Sequence, residues 1–261
     1  MVVQLQLRGL LLFLIITFRL VAFFFDKITP SKRKIRRYEL ITHDRSQMKS
    51  SKTGKYPDIR SLYSTIARPL RMHMERVANY SDILMKYAYH NQLFPDSIDE
   101  EFFKYSHELF LYHDIGKCYI SMDVYNKPDE LTIEEFELIK QHTVYAKIAH
   151  ESIYRIPYPD IIKERLFNIA TYHHERWDGK GYPYGLSGKD IPIEAQLCSI
   201  ADVYDGMISW KPYRNGLKRS EVIKIIASEK GKQFQSEVVD IFLHCISKFE
   251  IEDIKNGKLL V

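Results

Sequence analysis

The chain has 261 residues, 45% of them hydrophobic and 28% charged, with eleven glycines and ten prolines. That composition excludes a disordered, collagen-like or low-complexity chain and fits one main folded domain with added segments. The net charge of +4 owes much to Lys32, Arg33, Lys34, Arg36 and Arg37, so the remainder is close to neutral and does not read as a surface for a nucleic-acid polymer.

In chain order, the first element is the apolar run GLLLFLIITFRLVAFFF, residues 9–25. It is marginal in length for a bilayer, which takes roughly 20 helical residues, and Arg19 interrupts it. No small-residue cleavage site follows, which argues against a removed signal peptide. The expectation is a hydrophobic helix over 1–26 that serves as a membrane anchor, with the alternative that it packs on a partner. The basic cluster behind it would keep the body in the cytoplasm, at the inner membrane. Residues 27–60 read as a basic linker, of which SQMKSSKTGKYPD is polar with Gly and Pro.

From Leu62 onward the spacing predicts helices joined by short polar loops. They cover about Pro69–Tyr89, Ser97 or Asp99 to His113, Thr132–His150, Ile161–His174, Ile193–Ser209, Ser220–Ser228 and Ser236–Phe249. Pro69 suits a first turn, Asp99 suits an N-cap, and TIEE after Leu131 reads as a capping box. Alternating strand patterns are scarce, so the fold class is all-α. Residues 61–250 form the expected catalytic domain and 251–261 a tail. The cysteines Cys118, Cys198 and Cys245 make no CxxC pair and fit a reduced, cytosolic domain in which they are small core residues.

Ten histidines need an account. His73 falls mid-helix, His113 and Asp114 lie in HDIGK at a helix end, and His142 in KQHTVYA. His173 and His174 close another helix, and Asp202 lies in IADVYDG. A helical bundle can bring such residues to one centre, and imidazole with carboxylate suits Fe, Mn, Zn or Ni. Adjacent helical residues point about 100° apart, so His173 and His174 can both turn inward only at a helix end. The isolated His43, His90, His107, His150 and His244 read as surface or hydrogen-bonded residues.

HDIGK at 113–117, NKPDELTIEEFELIKQH at 126–142, HHERWDGKGYP at 173–183 and IADVYDG at 200–206 together resemble the HD-GYP domain, a subgroup of the HD metal-dependent phosphohydrolases. The resemblance implies an HD-type helical bundle with HD-GYP additions, holding two divalent transition-metal ions, iron or manganese, and hydrolysing cyclic di-GMP to pGpG or GMP by a hydroxide held between the ions. It implies the ligands His73, His113, Asp114, His142, His173, His174 and Asp202. Asp114 bridges; His73, His113 and Asp202 complete one site, and His142, His173 and His174 the other. Lys117 is implied near the scissile phosphate.

Glu175 and Asp205 are candidates to hydrogen-bond the ligating imidazoles, although Asp205 reads equally well as a helix-surface acid. Tyr182, Tyr184 and Trp177 either line the site and stack on guanine or pack the loop, packing being the favoured reading of Trp177. Pro69 stands where relatives with a third metal carry Glu, so two ions are expected. The family's RPY reads KPY here, as Lys211, Pro212 and Tyr213, followed by Arg214; Lys211 and Arg214 are expected to hold the second phosphate. A GGDEF-domain protein is the implied partner of the GYP loop. The alternatives are a hydrolase of another cyclic dinucleotide or nucleotide, and a non-catalytic signalling module.

Overall fold

The computed structural model describes residues 58–125, 127, 131–209 and 216–255. The apolar run 9–25, the basic cluster, His43, Lys211 and Arg214 lie outside the described residues. The fold is all-helical: no strand ladder occurs among the described residues, and pairing is limited to a bridge between Lys230 and Phe234. No helix among them is long and apolar enough to cross a membrane.

Nine α-helices follow in order among the described residues: α1 Ile59–Thr65, α2 Arg68–His90, α3 Glu100–Leu111, α4 Met122–Tyr125, α5 Ile133–Tyr154, α6 Asp160–Tyr172, α7 Ile193–Ile208, α8 Arg219–Ser228 and α9 Ser236–Lys255. Short 3₁₀ turns lie at Ile115–Tyr119 and Gly188–Asp190. Local chemistry sets the starts. The carboxylates of Asp58 and Asp99 accept from the amides of Ser61 and Phe102 at 2.9 and 2.7 Å. Thr132 and Glu135 close the expected capping box on α5. Each such cap is worth about 1 kcal/mol.

Helix α2 is the axis of the bundle and packs against α3, α7 and α9. Its buried positions Met74, Val77, Ala78, Ser81, Leu84, Met85 and Ala88 recur every three or four residues and form one continuous stripe. Helices α5 and α6 pack together, and α6 leans on α3 and α7. The ends match the sequence spacing to within a few residues except at two places. Helix α5 continues to Tyr154, beyond His150. Helix α9 continues to Lys255 rather than stopping at Phe249, and the fully buried Asp253 lies in its last turn. The folded core therefore extends past residue 250.

Candidate metal centre

The centre is assembled from five segments. His73 comes from α2, His142 from α5 and Asp202 from α7. His113 and Asp114 sit in the turn just beyond α3, where helical backbone gives way to the 3₁₀ turn that begins at Ile115. His173 is the C-cap of α6 and His174 follows it, so the adjacent rings are freed from helical spacing, 4.1 Å apart centroid to centroid. Gly116 explains how the turn approaches α5: a Cβ there would lie 1.9 Å from the carbonyl oxygen of His142. Only glycine allows that contact.

These side chains converge on Asp114. Its Oδ2 faces His73 Nε2 at 3.6 Å and His113 Nε2 at 3.4 Å. Its Oδ1 faces His142 Nε2 at 3.2 Å and His173 Nε2 at 3.6 Å. Asp202 lies 3.1 Å from His73 Nε2 on one side and 3.9 Å from His174 Nδ1 on the other. The donor atoms form two groups, Asp114 with His142, His173 and His174, and His73 with His113 and Asp202, each lying within 4.8 Å of one another.

The surrounding hydrogen bonds fix the tautomers. Nδ1 of His113, His142 and His173 meets the carbonyl oxygens of Phe110, Ile139 and Ile169 at 3.1, 2.6 and 2.9 Å. Each Nδ1 then carries the proton, and each Nε2 lone pair faces the centre. His73 Nδ1 lies 2.7 Å from Asp205, whose carboxylate also accepts two hydrogen bonds from Arg76 at 2.7 and 2.9 Å. His113 Nε2 and Asp114 Oδ1 are buried and make no hydrogen bond. Two orphaned acceptor atoms in a largely buried cluster of imidazole and carboxylate fit divalent transition-metal ions.

Electrostatics agree with that fit. Burial pushes His113 and His174 down and takes His142 to about 3, so all three imidazoles are neutral and able to ligate at neutral pH. Burial opposes ionisation of Asp114, but the Lys117 ammonium and His113 outweigh it and hold the carboxyl well below the usual range. Burial likewise opposes a charged His73, yet its hydrogen bonds to Asp202 and Asp205 win and raise its pKa.

The remaining expected residues divide. Lys117 pairs with Asp114 Oδ2 at the rim of the cluster. Asp205 is fully buried on His73 and is not a surface acid. Glu175 does not support an imidazole; its carboxylate accepts from the amides of Tyr184 and Leu186 at 2.7 and 3.0 Å and so ties down the glycine-rich loop. Tyr182 stacks on His174 with ring centroids 4.8 Å apart, and Tyr184 is exposed. Trp177 is pinned by its backbone to Gln233 and Gly188, as loop packing requires. His107 and His244 bond to Asn79 and to the Asp240 carbonyl, and His90 packs on Phe103. Sequence reading missed Arg76, although its place one turn after His73, with Asp205 one turn after Asp202, is a detectable pairing.

A protein-family profile described as "HD domain" matches residues 106–238. The chain is 44% identical over 131 residues to a cyclic di-GMP phosphodiesterase of Thermotoga maritima, covering 50% of this chain and 34% of the relative. It is 35% identical over 181 residues to a probable cyclic di-GMP phosphodiesterase of Vibrio cholerae, covering 66% of this chain and 39% of that one. A 3'3'-cGAMP-specific phosphodiesterase of the same organism is 33% identical over 138 residues, covering 52% and 25%. The chain thus spans between a quarter and two-fifths of the length of these relatives.

Proposed function

The chain belongs to the HD domain family, and from that membership we propose that it is a metal-dependent phosphodiesterase that hydrolyses cyclic di-GMP to pGpG or GMP. The observation that carries this reading is Asp114, whose two carboxylate oxygens face two separate groups of imidazoles in a buried cluster. Asp114 would be shared between two cations, which His73, His113 and Asp202 on one side and His142, His173 and His174 on the other would hold. Iron or manganese suits that donor set. When bound, such ions supply charge neutralisation and a nucleophile at neutral pH.

The chain's own residues do the rest. The imidazoles present fixed lone pairs, Asp205 and Arg76 hold His73 in register, and Lys117 keeps a positive charge at the edge of Asp114 for the non-bridging phosphate oxygens. Lys211 and Arg214 bind the second phosphate. The catalytic domain spans 61–250 with the last turns of α9, residues 9–25 anchor it at the inner membrane, and the exposed Tyr184 offers a GGDEF-domain partner a contact on the loop.

A second reading, hydrolysis of 3'3'-cGAMP, is supported by the similarity to a relative of that specificity. One experiment separates the alternatives: anaerobic purification, metal quantification, and turnover of cyclic di-GMP and 3'3'-cGAMP side by side. Two ions per chain and pGpG from cyclic di-GMP are expected. A faster reaction with 3'3'-cGAMP favours the second reading, and absence of both metal and product overturns the enzyme reading.

A further inference from the structure

His174 differs from every other imidazole in the cluster. Those of His73, His113, His142 and His173 have Nδ1 held by a carboxylate or a backbone carbonyl. Among the described residues no hydrogen bond reaches the His174 ring; the Asp202 carboxylate stands 3.9 Å from it, beyond hydrogen-bond distance. It also lies beyond the end of α6, where no helical neighbour above or below confines its rotamer. A ligand ring with neither restraint is a poor ligand, because orientation must be fixed at each binding event.

What confines His174 is neighbouring rings: those of His173 at 4.1 Å and His142 at 5.1 Å within the cluster, and that of Tyr182 from the glycine-rich loop. Tyr182 lies nearly parallel to it, with centroids 4.8 Å apart and an interplanar angle of 24°. The tyrosine is itself positioned from several sides. Its amide donates to the His174 carbonyl at 3.2 Å, which sets the two residues side by side. Gly181 passes so close to the chain it folds over that a Cβ would lie 2.4 Å from Arg176 N and 2.5 Å from Glu175 Cα. The buried Glu175 carboxylate then takes the amides of Tyr184 and Leu186, on the far side of Tyr182. Lys140 Nζ, from α5, lies 5.5 Å from the Tyr182 ring centroid and is itself paired to Glu137 at 2.5 Å. A cation near the ring face favours that placement.

We propose that Tyr182 is a positioning residue for the metal centre: its ring, presented by the glycine-rich loop, orients the His174 imidazole toward Asp114. This rests on the metal reading above. It moves Tyr182 from guanine recognition to ligand support, and it gives the loop a task inside its own chain. Stacked rings attract one another beyond their buried area, on the scale of a single orienting hydrogen bond. The stack therefore substitutes for the missing hydrogen-bond partner of the ring.

The test is metal affinity rather than turnover. Manganese binding to the full chain is measured by competition against a chelator, alongside the visible spectrum of the cobalt-loaded protein. The wild type is expected to bind two ions. Tyr182→Phe keeps the ring and should bind both within about twofold of wild type, whereas Tyr182→Ala should weaken one ion by about 10–100-fold, the usual effect of removing a group that orients a ligand. His174→Ala should weaken the same ion and perturb the same cobalt bands. If Tyr182→Ala does not fold, Tyr182→Leu keeps the bulk without the π face and is expected to show the same selective weakening. Wild-type affinity in Tyr182→Ala or Tyr182→Leu, or an equal loss in Tyr182→Phe, overturns the assignment while leaving the metal reading standing. A wild-type chain that takes up no metal overturns both.

Discussion

At the scale of single residues, Asp114 carries the heaviest electrostatic burden. It is almost fully buried, faces four imidazoles and pairs with the ammonium of Lys117. Asp114→Ala should reduce bound metal at least about tenfold and abolish hydrolysis. The far-ultraviolet spectrum should stay helical, because no backbone group depends on that carboxylate; retained activity would refute the site. The histidines predict a second behaviour, in the metal-free chain. An unfolded imidazole titrates near 6.5, whereas burial takes His142 to about 3. Between those values the unfolded chain binds more protons than the folded one. The contribution of His142 to stability is thus complete above pH 6.5 and is lost progressively toward pH 3. Metal-free protein should melt at falling temperature across that window, and His142→Gln should flatten the slope. An unchanged melting temperature from pH 7 to 4 would contradict the burial.

At the scale of elements, the glycines of the two motifs act as spacers that let chain segments touch. Gly116 permits the 3₁₀ turn to lie on the carbonyl of His142, which couples the first donor group to the second. Gly116→Ala should cost about 1–3 kcal/mol, as overpacking of a closed contact does, and should weaken metal binding as the turn retreats from α5. Urea midpoints and metal content measure the two effects; a stable variant with full metal content would show that the contact is dispensable. Much of this level was legible in the sequence. Caps at Asp99 and Thr132, the helical spacing of α2, and the pairing of HDIGK with a histidine pair and a later Asp are all local patterns. The role of Glu175 was not. Its amide partners at Tyr184 and Leu186 are nine and eleven residues away across a turn whose path depends on Gly181. Nothing in the local sequence distinguishes an acid that holds a loop from one that holds an imidazole.

At the scale of the whole molecule, the bundle is closed by a polar network behind the metal centre. Asp253, at the end of α9, is fully buried. Its Oδ1 accepts from the Tyr80 hydroxyl, and its Oδ2 accepts from Tyr204 at 2.7 Å and Arg219 at 2.9 Å. One carboxylate thereby joins α2, α7, α8 and α9. Tyr80 stacks on Phe249 at 4.6 Å and meets Tyr204 edge-on at 5.2 Å, so the same contact organises an aromatic core. The sequence pattern places a tail at 251–261, yet Asp253 is buried there. Its burial is decided by partners from 34 to 173 residues away. That separation makes the network a property of the closed bundle, and the closed bundle is what holds α2 and α7 in register. His73 and Asp202 ride on those two helices, 3.1 Å apart at the other end of the contact. Asp253→Ala removes the acceptor shared by Tyr80, Tyr204 and Arg219, a change that costs about 3–5 kcal/mol when one partner of a buried ion pair is lost. A chain ending at residue 250 removes the same carboxylate together with the last turn of α9. Both should lower the thermal midpoint and the urea midpoint, and both should weaken metal binding through the loosened approach of α2 to α7. A chain shortened to residue 250 that melts and binds metal as the full chain does would place the domain boundary where the sequence pattern first suggested it.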